Sequence, residues 1–180
     1  MTPTADRSVR VAWADDAPAI GAVQARAWRE SYAGVLPEEL VAEVDAAVIA
    51  EHWRAAVTAP PTAKHRVLVA LERNTVVGFA ATAPAADPDL APTDGEVVAF
   101  HVDPDAQRLG HGSRLLAAAV DTLRADGFTR ALLWQVVGDD ALRAFLESAG
   151  WAPDGAHRTL DLVGDGTATL RQVRLHTDMS

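Results

Sequence analysis

The sequence contains no cysteine among its 180 residues. A disulfide framework, a thiolate metal site and a cysteine nucleophile are therefore excluded. Long apolar runs are also missing, since no stretch approaches the ~18 residues that a membrane-spanning helix needs. The first residues, Met1 to Asp6, are polar and lack the basic-then-apolar order of a signal peptide. These absences predict a soluble, cytoplasmic protein that does not bind a membrane.

Positive charge is scarce as well, because 16 lysine and arginine residues stand against 25 acidic ones and the net charge is −9. An acidic surface repels nucleic acid and favours cationic partners. The six histidines include no pair at metal-site spacing, so no metal is expected. No Gly-x-Ser-x-Gly sequence occurs, which leaves a hydrolase triad unsupported. Apolar residues are abundant, at 49% of the chain, and suffice for a substantial core.

The pattern of apolar and turn-forming residues predicts a single α/β domain that spans residues 1–180. Helices are predicted from 15 to about 28, from 37, over 46–57, over 113–125 and from 139 or 140 to 149. Strands are predicted at 8–12, 67–71, 76–81, 96–102, 131–137, 158–163 and 169–176. The strand–helix–strand step over 96–137 requires a parallel pair joined by a right-handed crossover. Four tryptophans are predicted to lie in the core: Trp13, Trp53, Trp134 and Trp151.

Two loops stand out between these elements. The loop at 84–95 is rich in Pro, Ala and Asp, which indicates either a disordered excursion or part of a binding site. The loop at 107–112 reads Gln-Arg-Leu-Gly-His-Gly and precedes a leucine-rich helix. Its glycines allow positive φ and a close backbone approach, and the helix start offers unpaired N–H groups, as a pyrophosphate site requires. The Arg108 side chain adds positive charge. A Walker loop and a dinucleotide fingerprint do not fit, whereas a helix start without a ligand and a nucleotide-phosphate regulator remain alternatives.

Several motifs together resemble the GNAT superfamily of N-acetyltransferases. They are Gln107-x-x-Gly110-x-Gly112 with its Leu-Leu helix, Val102-Asp103-Pro104, Ala149-Gly150-Trp151, the segment from Trp28 to Tyr32, and Leu36-Pro37. The resemblance implies an α/β (α+β) fold, with a mixed, mostly antiparallel twisted sheet of about seven strands. A central parallel strand pair and about four flanking helices complete that fold. It also implies acetyl-CoA as cosubstrate and direct acetyl transfer to a primary amine.

The resemblance assigns the cofactor contacts residue by residue. The pyrophosphate would be bound by the loop and helix start, namely Gln107, Arg108, Leu109, Gly110, His111, Gly112 and Ser113. The pantetheine arm would pair with the end of the preceding strand, at Phe100, His101 and Val102. The N–H of Phe100 would donate to the thioester carbonyl as a one-residue oxyanion hole. Asp139 stands where the family has an asparagine, and it can cap the last helix but cannot donate a hydrogen bond to pantetheine.

The resemblance also assigns the acceptor side. Glu96 lies eleven positions before Gln107, at the spacing of a general base in some family members. A base is needed because an alkyl amine, with a pKa near ~10, is protonated at neutral pH. Trp28 and Tyr32 would line the acceptor site, and His101 is an alternative proton relay. The acceptor is expected to be a small-molecule amine or a peptide N-terminus, and a homodimer remains an open question.

One residue departs from the family in a way that bears on activity. Leu146 occupies the position of a tyrosine that protonates the leaving thiolate. A thiolate is already a good leaving group near pH 7, because its conjugate thiol has a pKa of about 8.5. The departure leaves two hypotheses: an active enzyme, or a catalytically idle acyl-CoA-binding sensor or interaction module.

Overall fold

The computed structural model describes residues 6–180, and most of the opening stretch that bears on the signal-peptide question lies outside that range. The helices are α1 Ala17–Tyr32, α2 Glu38–Ala42, α3 Ala46–Thr58, α4 His111–Ala125 and α5 Asp140–Ser148. The strands are β1 Arg7–Val11, β2 Arg66–Glu72, β3 Thr75–Pro84, β4 Asp94–Val102, β5 Arg130–Val136, β6 Ala152–Asp161 and β7 Thr169–Asp178. They form one seven-stranded sheet in the order β1-β2-β3-β4-β5-β7-β6.

The sheet opens in its middle, between β4 and β5. These two strands are parallel and pair at only three positions, the last of which joins Glu96 to Leu132. Both strands then continue, to Val102 and Val136, without pairing with each other. A shift of register against β3 between Ala81 and Thr82 adds to the irregularity of β4 at this point, and such bulges bend and twist a strand. The separation leaves a cleft at the carboxyl ends of β4 and β5.

Each face of the sheet carries its own apolar cluster. Leucines on one face of α4, among them Leu115, Leu116 and Leu123, pack with α5 and with Leu133 and Leu175 of β5 and β7. On the other face, Ile20 and Trp53 of α1 and α3 pack on Phe79, as the spacing of apolar residues in those helices requires. The strand residues of this second cluster come from β2, β3 and β4, within the residues that the structure describes.

Most predicted elements are confirmed, and several boundaries are wrong. The helix after the glycine loop begins at His111 instead of Ser113, so Gly112 lies in its first turn. The strand predicted at 158–163 occupies Ala152–Asp161, because an irregularity in its pairing with β7 lets it begin earlier. The helix predicted from 37 is confirmed as the short α2, and the described residues hold five helices where the resemblance implied about four. The loop predicted at 84–95 is shorter, since β3 ends at Pro84 and β4 begins at Asp94.

The tryptophan predictions are half correct. Trp53 and Trp151 are buried, as predicted. Trp13 is 63% exposed, and the guanidinium of Arg10 lies 3.7 Å from its ring centre. Trp134 is only half-buried, because the guanidinium of Arg158 covers its ring instead of apolar side chains. Across residues 6–180, no helix has both the length and the apolar character needed to cross a membrane.

Candidate active site

The cleft between β4 and β5 widens into a groove of about 850 Å³. Four parts of the chain line it: α1 on one side, the end of β4 below, and the starts of α4 and α5 on the other side. The predicted cofactor residues among the lining are Phe100, His101, Val102, Gln107, Arg108, Gly110, Gly112, Ser113 and Asp139. The sequence therefore anticipated a set of residues that the fold brings to one groove.

The glycine loop has the backbone conformation that its composition indicates. Gly110 has φ 87° and Arg108 has φ 62°, both in the left-handed region. The backbone bonds of α4 begin with Arg114 N–H donating to Gly110 O. The N–H groups of the three preceding residues, 111–113, thus have no partner within the helix. They form the positive end of a helix of 15 residues, which attracts anions.

Gly112 contributes by its lack of a side chain. A Cβ at this position would lie 3.6 Å from the Phe145 ring and 3.8 Å from Val102, both of which line the groove. A Cβ would be in ordinary van der Waals contact with both, so a larger side chain would project into the space between them, whereas Gly110 has a positive φ that favours glycine. The two glycines of the motif serve different physical purposes.

Two predicted cofactor residues are bonded to the neighbouring strands, His111 through its side chain and Leu109 through its backbone carbonyl. The His111 ring is 1% exposed and its Nε2 lies 3.0 Å from Glu72 Oε2. The Leu109 carbonyl accepts a hydrogen bond of 2.5 Å from Arg7 Nη1. The backbone N–H groups of Leu109 and His111 stay available for the predicted role. The His111–Glu72 contact and the Arg7 bond hold the loop against the β1–β2 edge of the sheet.

The N–H of Phe100 points toward the cleft. Asp103 N–H donates to Val77 O on β3, at 2.7 Å. Backbone direction alternates along a strand, and Phe100 faces Ala80 in the β3–β4 register. The N–H and C=O of Phe100 therefore point away from β3, toward the edge of β4 that no longer pairs with β5. Its ring stacks on Phe145 at 5.9 Å between centroids, which holds this part of β4 beside α5.

Glu96 lies at the point where β4 and β5 part, opposite Leu132 and opposite Ala83 of β3. Burial of the half-buried carboxyl raises its pKa, and the negative charge of Asp87 raises it further. Arg158 and Arg174 act in the opposite direction. A carboxylate with a raised pKa is a stronger base than one in water, as a proton acceptor requires.

The aromatic residues of α1 form a row with His101. The Trp28 ring centre lies 6.0 Å from that of Tyr32 and 6.4 Å from that of His101, to which it is nearly perpendicular. Burial lowers the pKa of His101 to about 4, so this ring is neutral at pH 7 and is a poor proton acceptor. Burial raises the pKa of Tyr32, and the charge of Asp139 adds to the effect. The α1 residues that line the groove itself are Ala27, Glu30 and Ser31.

Helix α5 presents apolar atoms to the groove. Asp139 caps it, because its Oδ1 accepts from Leu142 N–H at 3.0 Å, as predicted. Leu146 is fully buried in the core, and Phe145 lines the groove in its stead. Sequence reasoning missed Phe145, although its spacing of three residues from Leu142 on an amphipathic helix was a usable signal. In the part of the chain that the structure describes, no three His, Cys, Asp or Glu residues cluster as metal ligands would.

The groove, its glycine loop and the divided sheet can be compared with known proteins. The model of the acetyltransferase (GNAT) family matches residues 25–151. The chain belongs to the GNAT acetyltransferase family. The predicted family and fold class are thereby confirmed. An uncharacterised N-acetyltransferase of Bacillus subtilis (strain 168), YuaI, is 26% identical over 129 residues, which cover 72% of this chain and 71% of that protein.

Solved structures of this GNAT fold cover nearly the whole chain. An N-acetyltransferase from Staphylococcus aureus Mu50 superposes with a TM-score of 0.74 at 19% identity, over 97% of this chain and 99% of that one. YncA from Salmonella typhimurium, solved with its cofactor acetyl-CoA, gives a TM-score of 0.67 at 19% identity, over 97% and 95% of the two chains. At such identity the likeness concerns the fold.

Proposed function

We propose that this GNAT protein is an acetyl-CoA-dependent N-acetyltransferase that transfers the acetyl group directly to a primary amine. The observation that supports it most is the position of two groups on one strand. Beyond Glu96, β4 has lost β5 as its partner, and the N–H of Phe100 faces the space that results. Glu96, at the last position that pairs with β5, would serve as the base, and Phe100, on the unpaired edge that follows, would serve as the oxyanion donor.

The groove suits acetyl-CoA in its charge and shape. The N–H groups at the start of α4, with Arg108 beside them, would hold the pyrophosphate. The unpaired edge from Phe100 to Val102 would bond the amide groups of the pantetheine arm as a neighbouring strand does. The space kept by Gly112 between Phe145 and Val102 would admit that arm. YncA, a structural neighbour, was solved with acetyl-CoA, which supports this choice of ligand.

Acetyl-CoA supplies an activated acyl group, from which transfer forms an N–C bond and releases the CoA thiolate. Glu96 accepts the proton of the amine, directly or through water, so that the nitrogen has a free electron pair. The Phe100 N–H donates to the acetyl oxygen as negative charge develops there, a contribution that is worth most where water is excluded. Trp28 and Tyr32, with the charge of Glu96, hold the acceptor.

The composition favours direct transfer over an acyl-enzyme, because the chain has no cysteine and the commonest covalent route is closed. In either route the thiolate would leave without a tyrosine on α5, where Leu146 is buried, since a thiolate whose thiol has a pKa of about 8.5 is a good leaving group. Intact-mass measurement after mixing with acetyl-CoA alone should show no stoichiometric acetyl adduct that an amine can discharge.

The test is a thiol-release assay over a panel of acceptors: a polyamine, an aminoglycoside, a small aryl-alkylamine, an amino acid and a peptide with a free N-terminus. We expect acetyl-CoA to bind, and at least one amine to be acetylated with release of one CoA per product. Binding of acetyl-CoA without turnover of any acceptor would instead support the idle sensor or interaction module. Binding of ATP in preference to CoA would support the nucleotide-phosphate regulator.

A further inference from the structure

Arg174 of β7 is the most heavily bonded side chain outside the groove. Its guanidinium is 5% exposed and bonds three carboxylates. Asp87 accepts at 3.2 Å, Asp89 at 3.0 and 2.6 Å, and Asp154 at 2.7 Å. Charge-assisted bonds of this kind are the strong ones in proteins. Two separate parts of the chain, the β3–β4 loop and β6, thus converge on one cation of β7.

Two of the three carboxylates belong to the loop 85–93 between β3 and β4. The loop has further anchors on the sheet. Trp134 Nε1 donates to Asp87 Oδ2 at 3.0 Å, and Ala91 N–H donates to Asp94 Oδ2 at 2.9 Å. A cavity of about 390 Å³ remains between the loop, Trp134 and the β6 residues near Arg158. The loop is therefore held in place by side-chain bonds, which makes it a formed wall instead of a disordered excursion.

This wall stands beside Glu96. Asp87 of the loop, Arg158 of β6 and Arg174 of β7 are the charged groups that act on the Glu96 carboxyl. Trp134 lies two residues after Leu132 on β5, and Leu132 pairs with Glu96, so Glu96 and Trp134 point to the same side of the sheet. His176 of β7 pairs with Leu132 and shares that side. The apolar cluster under α1 and α3, as far as the described residues go, has no member from β5, β6 or β7.

We propose that Arg174 is a positioning residue for the acceptor amine: it fixes loop 85–93 on this part of the sheet, where the loop forms the wall opposite α1. The amine then approaches Glu96 between α1 and the loop. The inference rests on the proposed function, because it concerns the approach to the same Glu96. Of the two alternatives predicted for this loop, the proposal selects the one in which the loop is part of a binding site. The loop then acts on the amine and not on acetyl-CoA.

The chain offers a matched pair of variants for the test. Asp89→Asn and Asp154→Asn each replace one carboxylate partner of Arg174 by an amide. Asp89 belongs to the loop, and its side chain is 61% exposed. Asp154 belongs to β6, and its other oxygen can still accept from Ala156 N–H at 2.9 Å in the variant. Both variants weaken the cation's bonding, but only Asp89→Asn weakens the loop's own attachment to Arg174.

Kinetics are measured with acetyl-CoA and the amine that wild type acetylates fastest in the acceptor panel. For Asp89→Asn we expect the amine KM to rise about tenfold, since small misplacements of a bound reactant are costly. The KM for acetyl-CoA should stay within about twofold of wild type. Hydrogen exchange at Leu90, whose N–H donates to Asp87 O, should become faster. For Asp154→Asn both KM values and the exchange at Leu90 should stay near those of wild type.

Three outcomes would overturn the inference. Faster exchange in loop 85–93 with unchanged amine kinetics would show that the loop does not guide the amine. Equal effects of the two variants on amine KM would reduce Arg174 to a general structural role. Failure of wild type to acetylate any amine would overturn the proposed function together with this inference, and that result is visible on wild type alone.

Discussion

The two sides of the groove are built in different ways. The proposed cofactor side comes mainly from one continuous stretch, 100–113, and would work through backbone N–H groups. The proposed acceptor side gathers Trp28, Asp87, Glu96 and Arg174 from distant parts of the chain, with Asp87 and Arg174 bonded across 87 positions. A binding site made of backbone N–H groups needs particular φ values and positions without side chains, and glycines at those positions form a local pattern in the sequence. Charged side chains that only folding brings together form no such local pattern.

The difference predicts a separation of effects. Changes on the cofactor side should alter the affinity for acetyl-CoA, and changes on the acceptor side should alter amine kinetics and their pH dependence. A cofactor-side variant that altered amine kinetics, or an acceptor-side variant that altered the affinity for acetyl-CoA, would contradict this separation.

The largest effect is expected from Glu96→Gln. The amide keeps the size of the side chain but cannot accept the amine proton, so kcat should fall by about 10²–10⁴-fold. The affinity for acetyl-CoA should not change. Without the base, activity should climb steadily with pH toward the amine's own pKa near ~10 instead of levelling off. Initial rates from pH 6 to 9 and calorimetry with CoA measure both quantities.

The matched control for that variant is Glu30→Gln. Glu30 lines the groove from α1, so the control removes a nearby carboxylate that is not at the point where β4 and β5 part. It should stay within about threefold of wild type, far from a general-base effect. If Glu96→Gln behaves like this control, the base must be another group.

A change on the cofactor side should have the next largest effect. In Gly112→Val the added side chain fills the space between Phe145 and Val102, so the Kd for CoA should rise by roughly 10–100-fold, as when charge-assisted bonds to a ligand are displaced. The amine KM at saturating acetyl-CoA should change little. Calorimetry with CoA is the measurement. Ala117→Val, an exposed change on the same helix, is the control and should bind CoA as wild type does.

Gly110→Ala separates conformation from space on the same loop. No atom lies within 4 Å of an added Cβ at this position, but the residue has φ 87°. The variant should therefore lose stability, by about 1–2 kcal/mol, from the left-handed conformation alone. Thermal unfolding measures it, and the effect on CoA affinity should be weaker than that of Gly112→Val. A stronger loss of CoA affinity than in Gly112→Val would contradict the division of roles between the two glycines.

A smaller effect is expected from Asp87→Asn on the acceptor side. The Asp87 charge raises the pKa of Glu96, so its removal should lower that pKa. More of the base is then ionised in acid, and the acid limb of the kcat/KM profile for the amine should move to lower pH. The rate at the acid end should gain a few-fold. Asp154→Asn is the control, because it changes a carboxylate partner of Arg174 that lies on β6. The pH profile of this variant should coincide with that of wild type.

The smallest effect concerns stability. Because the pKa of Glu96 is raised on folding, the folded protein binds this proton more tightly than the unfolded chain does. Ionisation of Glu96 therefore lowers the free energy of unfolding as pH rises from the unfolded pKa through the folded pKa. Glu96→Gln should melt slightly above wild type at pH 7 to 8, and the gain should vanish below the unfolded pKa of glutamate. Calorimetric melting with the exposed Glu39→Gln as control tests this sign, and a lower melting temperature at pH 8 would contradict it.

Much of the fold was accessible from local pattern. The helix 113–125 was placed within two residues, and β5 within one, because their apolar periodicity matches their burial. The boundaries of β6 were missed because its first residues pair irregularly with β7 and carry little alternation. Trp13 was assigned to the core from its residue type, and only the contact with Arg10 explains its exposed position.

The sequence by itself determined the family, the parallel step and the residues of the cofactor loop, because these depend on backbone demands within a short stretch of chain. Only the tertiary structure decided that β5 leaves β4 after Glu96, which turns the Phe100 N–H toward free space. It also decided that His111 faces Glu72, and that the charges of Asp87 and Arg174 act on Glu96. These features depend on charges and strands that are distant in sequence, and no local pattern encodes the distances between them.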